Sequence, residues 1–97
     1  MPFQDNMLKR SHVIYTGRVQ GVGFRYTVRQ LAHGFEVVGY VRNLDDGRVE
    51  MVAEGDEEEL NRFVKHVGSS DLSAYIRHET VEWLPATGEF HNFSIQL

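Results

Sequence analysis

The chain has no cysteine, only two prolines, and no apolar run near the roughly 20 residues that a membrane-spanning helix needs. Without cysteine there is no disulfide, thiolate nucleophile, iron–sulfur cluster or Cys-x-x-Cys metal site. The absence also fits a cytoplasmic location. The start, MPFQDNMLKRSH, lacks the positive-then-apolar order of a secretory signal and the Arg and Ser enrichment of a transit peptide. Residues 1–10 are therefore expected to form a short leader, of a composition that can stay disordered, ahead of a domain spanning residues 11–97. Five histidines (His12, His33, His66, His78 and His91) are scattered, with no pair at the i, i+4 spacing of a helical metal site, so no metal is expected.

What is present suits a single domain: 97 residues, 41% hydrophobic and 25% charged, can bury one core but not two. The net charge of −4 argues mildly against a nucleic-acid partner. Its distribution says more. Residues 1–48 carry seven Lys/Arg against four Asp/Glu, whereas residues 49–97 carry three against ten. The basic groups gather where the motifs described below lie.

From Ser11 to Val19, Val13, Tyr15 and Val19 alternate with His12, Thr16 and Arg18, the pattern of a half-buried strand. Gly17, Gly21 and Gly23 lead into Phe24, Val28, Leu31 and Ala32 at helical spacing, with Gly34 as the stop. Val37–Asn43 and Arg48–Glu54 read as strands joined by a hairpin through Asp46 and Gly47. A second helix opens at Gly55 and Asp56, repeats Leu60, Phe63, Val64 and Val67 at i, i+3, i+4 and i+7, and closes at Gly68, Ser69 and Ser70. Tyr75–Leu84 is long enough for a further strand that Pro85 stops, and Phe93–Leu97 adds a short terminal one. The order predicts an α+β, ferredoxin-like two-layer sandwich (βαββαβ): an antiparallel sheet with two helices on one face and a short extra C-terminal strand.

The segment Gly17-Arg18-Val19-Gln20-Gly21-Val22-Gly23-Phe24-Arg25 leaves a strand, turns through glycines and opens a helix. Backbone N–H groups can there converge at the positive end of a helix dipole, which is how phosphate is bound. Arg25 adds a planar fork able to hold two phosphate oxygens, although a solvated arginine beside a tight turn would look the same. The loop matches neither Gly-x-x-x-x-Gly-Lys-Ser/Thr nor a full Gly-x-Gly-x-x-Gly, so nucleotide binding is not implied. A second segment, Gly39-Tyr40-Val41-Arg42-Asn43-Leu44-Asp45-Asp46-Gly47-Arg48-Val49-Glu50, puts an amide side chain at a strand end before the hairpin. Taken alone, Asn43 is as well explained by turn formation.

Together the two segments resemble the acylphosphatase family, and the resemblance runs over about residues 11–97. It implies a ferredoxin-like enzyme that cleaves acyl phosphates to a carboxylate and inorganic phosphate without metal or organic cofactor. By position it makes Arg25 the phosphate-binding arginine, Asn43 the residue that orients the attacking water, and Gln20, Gly21, Val22, Gly23 and Phe24 the backbone phosphate cradle. The partner it implies is a small acyl phosphate, with no nucleic acid and no membrane; a monomer is expected because nothing in the sequence demands an oligomer. Glu36 stands where many members of that family place glycine shortly before the second strand, and Gly68 precedes Ser69 rather than proline; both sites shape helix exits and so bear on local geometry.

Two other readings use the same fold. One is a non-catalytic ferredoxin-like module that binds phosphate or nucleic acid, although against nucleic acid Arg48–Glu54 lacks stacking aromatics and the second half is acidic. The other is an acylphosphatase-like domain of a larger protein acting on carbamoyl phosphate. Trp83, Phe90 and Phe93 are expected to pack rather than stack on ligand, and Asp45 and Asp46 to serve the turn.

Overall fold

The computed structural model describes residues 8–97. Strand β1 (Leu8–Gly17) leads to helix α1 (Phe24–Ala32), then β2 (Val38–Asn43), β3 (Val49–Asp56), helix α2 (Glu57–Gly68), a 3-10 turn (Asp71–Tyr75), β4 (Ile76–Pro85) and β5 (Phe93–Gln96). The expected βαββαβ order and extra strand are observed, in one sheet of order β4-β1-β3-β2-β5. No helix among the described residues is long and apolar enough to cross a membrane. Of the expected leader, residues 1–7 lie outside the described residues. Leu8, Lys9 and Arg10 belong to β1, because β3 runs on to Asp56 and pairs with them.

Alternation decides which face each strand buries. In β1, Ser11, Val13 and Tyr15 point to the helices, as do Val41 of β2 and Val49, Met51 and Ala53 of β3. Helix α1 covers them with Phe24, Val28 and Ala32, and α2 with Leu60, Phe63, Val64 and Val67. Each Val, Leu, Met or Phe side chain in this core contributes about 1.5–3 kcal/mol by leaving water. The Phe24 ring lies 5.0 Å from that of Tyr15, which fixes where the glycine loop ends and α1 begins.

One expectation needs correction: the sheet is not wholly antiparallel, because β5 pairs parallel to β2. Strand β4 runs antiparallel to β1 at one edge, so a chain that reverses after β4 and reaches the far edge must run alongside β2 in the same direction. The open face of the sheet holds this crossing in place. Glu54, 4% exposed, accepts hydrogen bonds from Arg10 Nε, from the Thr87 backbone N–H and hydroxyl, and from the Gly88 N–H, at 2.8–3.0 Å. Beyond it, Phe90 meets Tyr40 edge-on at 5.7 Å and carries the Arg10 guanidinium over its ring. Phe93 then turns inward against Phe63. Of the aromatic residues near the C-terminus, Phe90 thus binds the crossing segment to the sheet and Phe93 packs β5 against α2.

A second buried carboxylate on the open face, Glu50, accepts from Arg42 Nε and His12 Nε2, both at 2.6 Å. Burial acts to raise the pKa of both glutamates, but the hydrogen bonds they accept outweigh it, and both lie below the ordinary 4.5. A carboxylate with a depressed folded-state pKa stabilises the fold above the unfolded value, and that stabilisation disappears as pH falls through the folded value. Glu50→Gln is therefore expected to cost about 1–3 kcal/mol at neutral pH. It should also flatten the loss of melting temperature between about pH 7 and pH 3 relative to wild type. Parallel melting curves for the two proteins across that range would contradict this account.

Candidate active site

The glycine loop leaves β1 and enters α1 through two residues in left-handed backbone geometry, Gly21 at φ +79° and Gly23 at φ +77°. A Cβ at either position would meet no atom within 4 Å, so it is the backbone conformation, not crowding, that calls for glycine. Gly23 is the N-cap of α1 and brings no side chain to cap it, and the first turn of α1 contains no acidic residue. Helix α2 is the opposite case, with Glu57, Glu58 and Glu59 in its first turn. The positive end of α1 is left without a neutralising side chain, and that of α2 is covered by carboxylates.

Asn43 reaches the same place from the other side. Its neighbour Arg42 points to the open face, where it is tied to Glu50, so strand alternation turns Asn43 toward the helix side at the end of β2. The outcome is a cleft of about 320 Å³ lined by Gly21, Gly23, Phe24, Arg25, Tyr26 and Asn43, with Val19, Ile95 and Leu97 completing its wall. Arg10, Arg42, Arg48 and Arg62 are paired with carboxylates, whereas Arg18, Arg25, Arg29 and Arg77 have none within ion-pair distance among the described residues, and of these four Arg25 lines the cleft. Its guanidinium is free to bind an anion. A larger cleft, about 490 Å³ between Glu57, Glu58, Asn61 and Trp83, presents acidic groups that would repel one. Among the described residues no group of three or more His, Asp or Glu side chains converges on a point that could hold a metal ion.

Of the residues predicted from sequence, Arg25, Asn43, Gly21, Gly23 and Phe24 are brought together in the cleft, Phe24 with its ring buried in the core. Val22 and Gln20 are not part of its wall: Val22 is exposed, and the side chain of Gln20 turns to the β2–β3 hairpin.

The sequence model of the Acylphosphatase family matches residues 11–95. The chain belongs to the acylphosphatase family. It is 43% identical over 88 residues to an acylphosphatase of Roseiflexus sp. (strain RS-1), covering 91% of this chain and 95% of the relative. The crystal structure of acylphosphatase from Bacillus subtilis superposes with a TM-score of 0.84 at 39% identity, over 92% of this chain and 99% of that one. The structure of T. kodakarensis HypF also contains a similar segment, with a TM-score of 0.78 at 33% identity, over 92% of this chain but 12% of HypF.

The acylphosphatase motifs account for the polar side of the cleft but not for Tyr26, Ile95 and Leu97. Ile95 arrives through the parallel pairing Val41↔Ile95, and Leu97 follows that strand toward Asn43. Nothing local in the sequence marks that pairing, since the contacts that hold the crossing before β5 are made to Glu54 of the central strand β3, distant in sequence.

Proposed function

We propose that this chain hydrolyses acyl phosphates to a carboxylate and inorganic phosphate, with Arg25 and the loop N–H groups of Gln20–Phe24 holding the phosphoryl group and Asn43 orienting the attacking water. The observation that carries this reading is the meeting, in one cleft, of an uncapped positive helix end, an arginine without a carboxylate partner among the described residues, and a strand-end asparagine.

The chemistry asks little of the protein beyond placement and charge. Water attacks phosphorus, the bond from phosphorus to the acyl oxygen breaks, and its electron pair leaves on the carboxylate, a good leaving group that needs no general acid. Charge is redistributed over the phosphoryl oxygens in the transition state, so fixed donors around them bind that state more tightly than the substrate. The Asn43 carbonyl oxygen can accept a hydrogen bond from the water while its NH₂ donates one, and the side chain brings no negative charge to the phosphate. Ile95 and Leu97 offer apolar surface against which an acyl substituent can pack. The same reading has the enzyme acting as a monomer in the cytoplasm. It gives no role to nucleic acid as a ligand, because residues 49–97 carry three Lys/Arg against ten Asp/Glu.

Benzoyl phosphate, followed by its ultraviolet absorbance, tests the activity directly. The folded protein is expected to hydrolyse it at the same rate with and without EDTA. A folded protein without activity would remove the enzymatic reading, and loss of activity with the chelator would remove the metal-free mechanism.

A further inference from the structure

Gln20 lies between Val19, which is fully buried, and Gly21, the first left-handed residue of the loop. Its side chain leaves the loop and crosses to the β2–β3 hairpin. There its Nε2 donates to the Leu44 carbonyl at 2.7 Å and to the Arg48 carbonyl at 2.9 Å. A side-chain amide NH₂ has two hydrogens, and both are used. The two acceptors are the ends of the hairpin, joined to each other by the Leu44 N–H donating to the Arg48 carbonyl at 2.8 Å. One side chain therefore spans the mouth of the turn, and the residue directly before Leu44 is Asn43.

We infer that Gln20 is a positioning residue for the proposed hydrolysis, its amide setting the distance and angle between the phosphate loop and Asn43. This inference rests on the function proposed above. The hairpin's own bonds close the turn but do not tie it to the loop. Among the side-chain hydrogen bonds of the described residues, those of Gln20 make that tie. Water positioning is sensitive to small displacements: a shift of about 1 Å can cost about 10² in rate. Phosphate binding is not expected to share this sensitivity, because the donors of the loop and Arg25 lie on the Gln20 side of the tie.

Gln20→Met keeps the length and apolar stem of the side chain and removes both donors. It is expected to lower kcat for benzoyl phosphate about 10- to 100-fold, with the inhibition constant of inorganic phosphate within about threefold of wild type. In an Asn43→Ala background the same substitution should lower kcat by less than about threefold, because a residue acting through Asn43 has nothing left to position. An equal loss in both backgrounds, or a phosphate inhibition constant rising in step with the loss of kcat, would overturn the inference.

Gln20→Glu supplies a second, independent readout. At neutral pH its carboxylate faces two carbonyl oxygens with no hydrogen to give, and protonation restores one donor. Its kcat relative to wild type should rise as pH falls through the carboxyl range, and a ratio that stays flat counts against the positioning role. If neither variant folds, as judged by far-ultraviolet circular dichroism, Gln20 is a structural residue and the inference fails. Failure of the wild type to hydrolyse benzoyl phosphate would instead strike the underlying function.

Discussion

Arg25→Ala is expected to lower kcat for benzoyl phosphate by about 10² or more, and to weaken inhibition by inorganic phosphate as well. Both effects follow from the position of the side chain. Arg25 stands in the first turn of α1, lines the cleft, and has no carboxylate partner among the described residues, so its charge is directed to whatever anion the loop N–H groups hold. Removing it takes away donors that act on the bound phosphate and strengthen as charge shifts over the phosphoryl oxygens. The fold should hold: the core of this region is Phe24, Val28 and Ala32, and Arg25 is only partly buried. Arg25→Lys should recover part of the phosphate affinity but little of kcat, since an ammonium keeps the charge and loses the planar fork. A folded Arg25→Ala protein that retained more than about a tenth of wild-type turnover would remove Arg25 from the mechanism.

How much of this was legible in the sequence depended on whether the signal was local. Both helices were, because Val28 and Ala32, or Leu60, Phe63, Val64 and Val67, repeat along one face within a few turns. Arg25 and Asn43 carry local marks at element ends, glycines before a helix and a strand before an Asp-Gly turn, but a tight turn explains each of them alone, and their proposed roles rest on the paired segments' resemblance to the acylphosphatase family. The parallel pairing of β5 was not legible. It depends on a chain crossing held by Glu54, and in the sequence Glu54 is one more acid in an acidic half, with nothing to show that its charge is buried and matched. The same holds for Glu50, whose partners His12 and Arg42 come from two other strands. The start of β1 at Leu8 is not legible because its pairing partner, the far end of β3 at Asp56, also carries the marks of the entry to α2. The 3-10 turn at Asp71–Tyr75 was hidden behind serines read only as a helix stop, although Ser70 accepts from the Leu72 N–H and so starts the next turn. Gln20 belongs to the loop by sequence, but the direction of its side chain is set by carbonyls distant in sequence.

Asn43 separates the two halves of the proposed chemistry, and its variants should do the same. Asn43→Ala is expected to reduce kcat by about 10² while the inhibition constant of inorganic phosphate changes little, because the cradle and Arg25 remain. Asn43→Asp is nearly isosteric and should preserve the hairpin, yet it loses the NH₂ donor and brings a negative charge toward the phosphate. That variant is expected to match the alanine variant in lost kcat and, in addition, to weaken phosphate inhibition at neutral pH. The added penalty should shrink as the carboxylate is protonated. A mere turn-former would behave differently, since aspartate serves a turn as well as asparagine does. Full activity in Asn43→Asp would therefore assign Asn43 to the hairpin. A loss in both variants, with phosphate affinity falling only where a charge was introduced, would place the side chain beside the phosphorus and assign it the water.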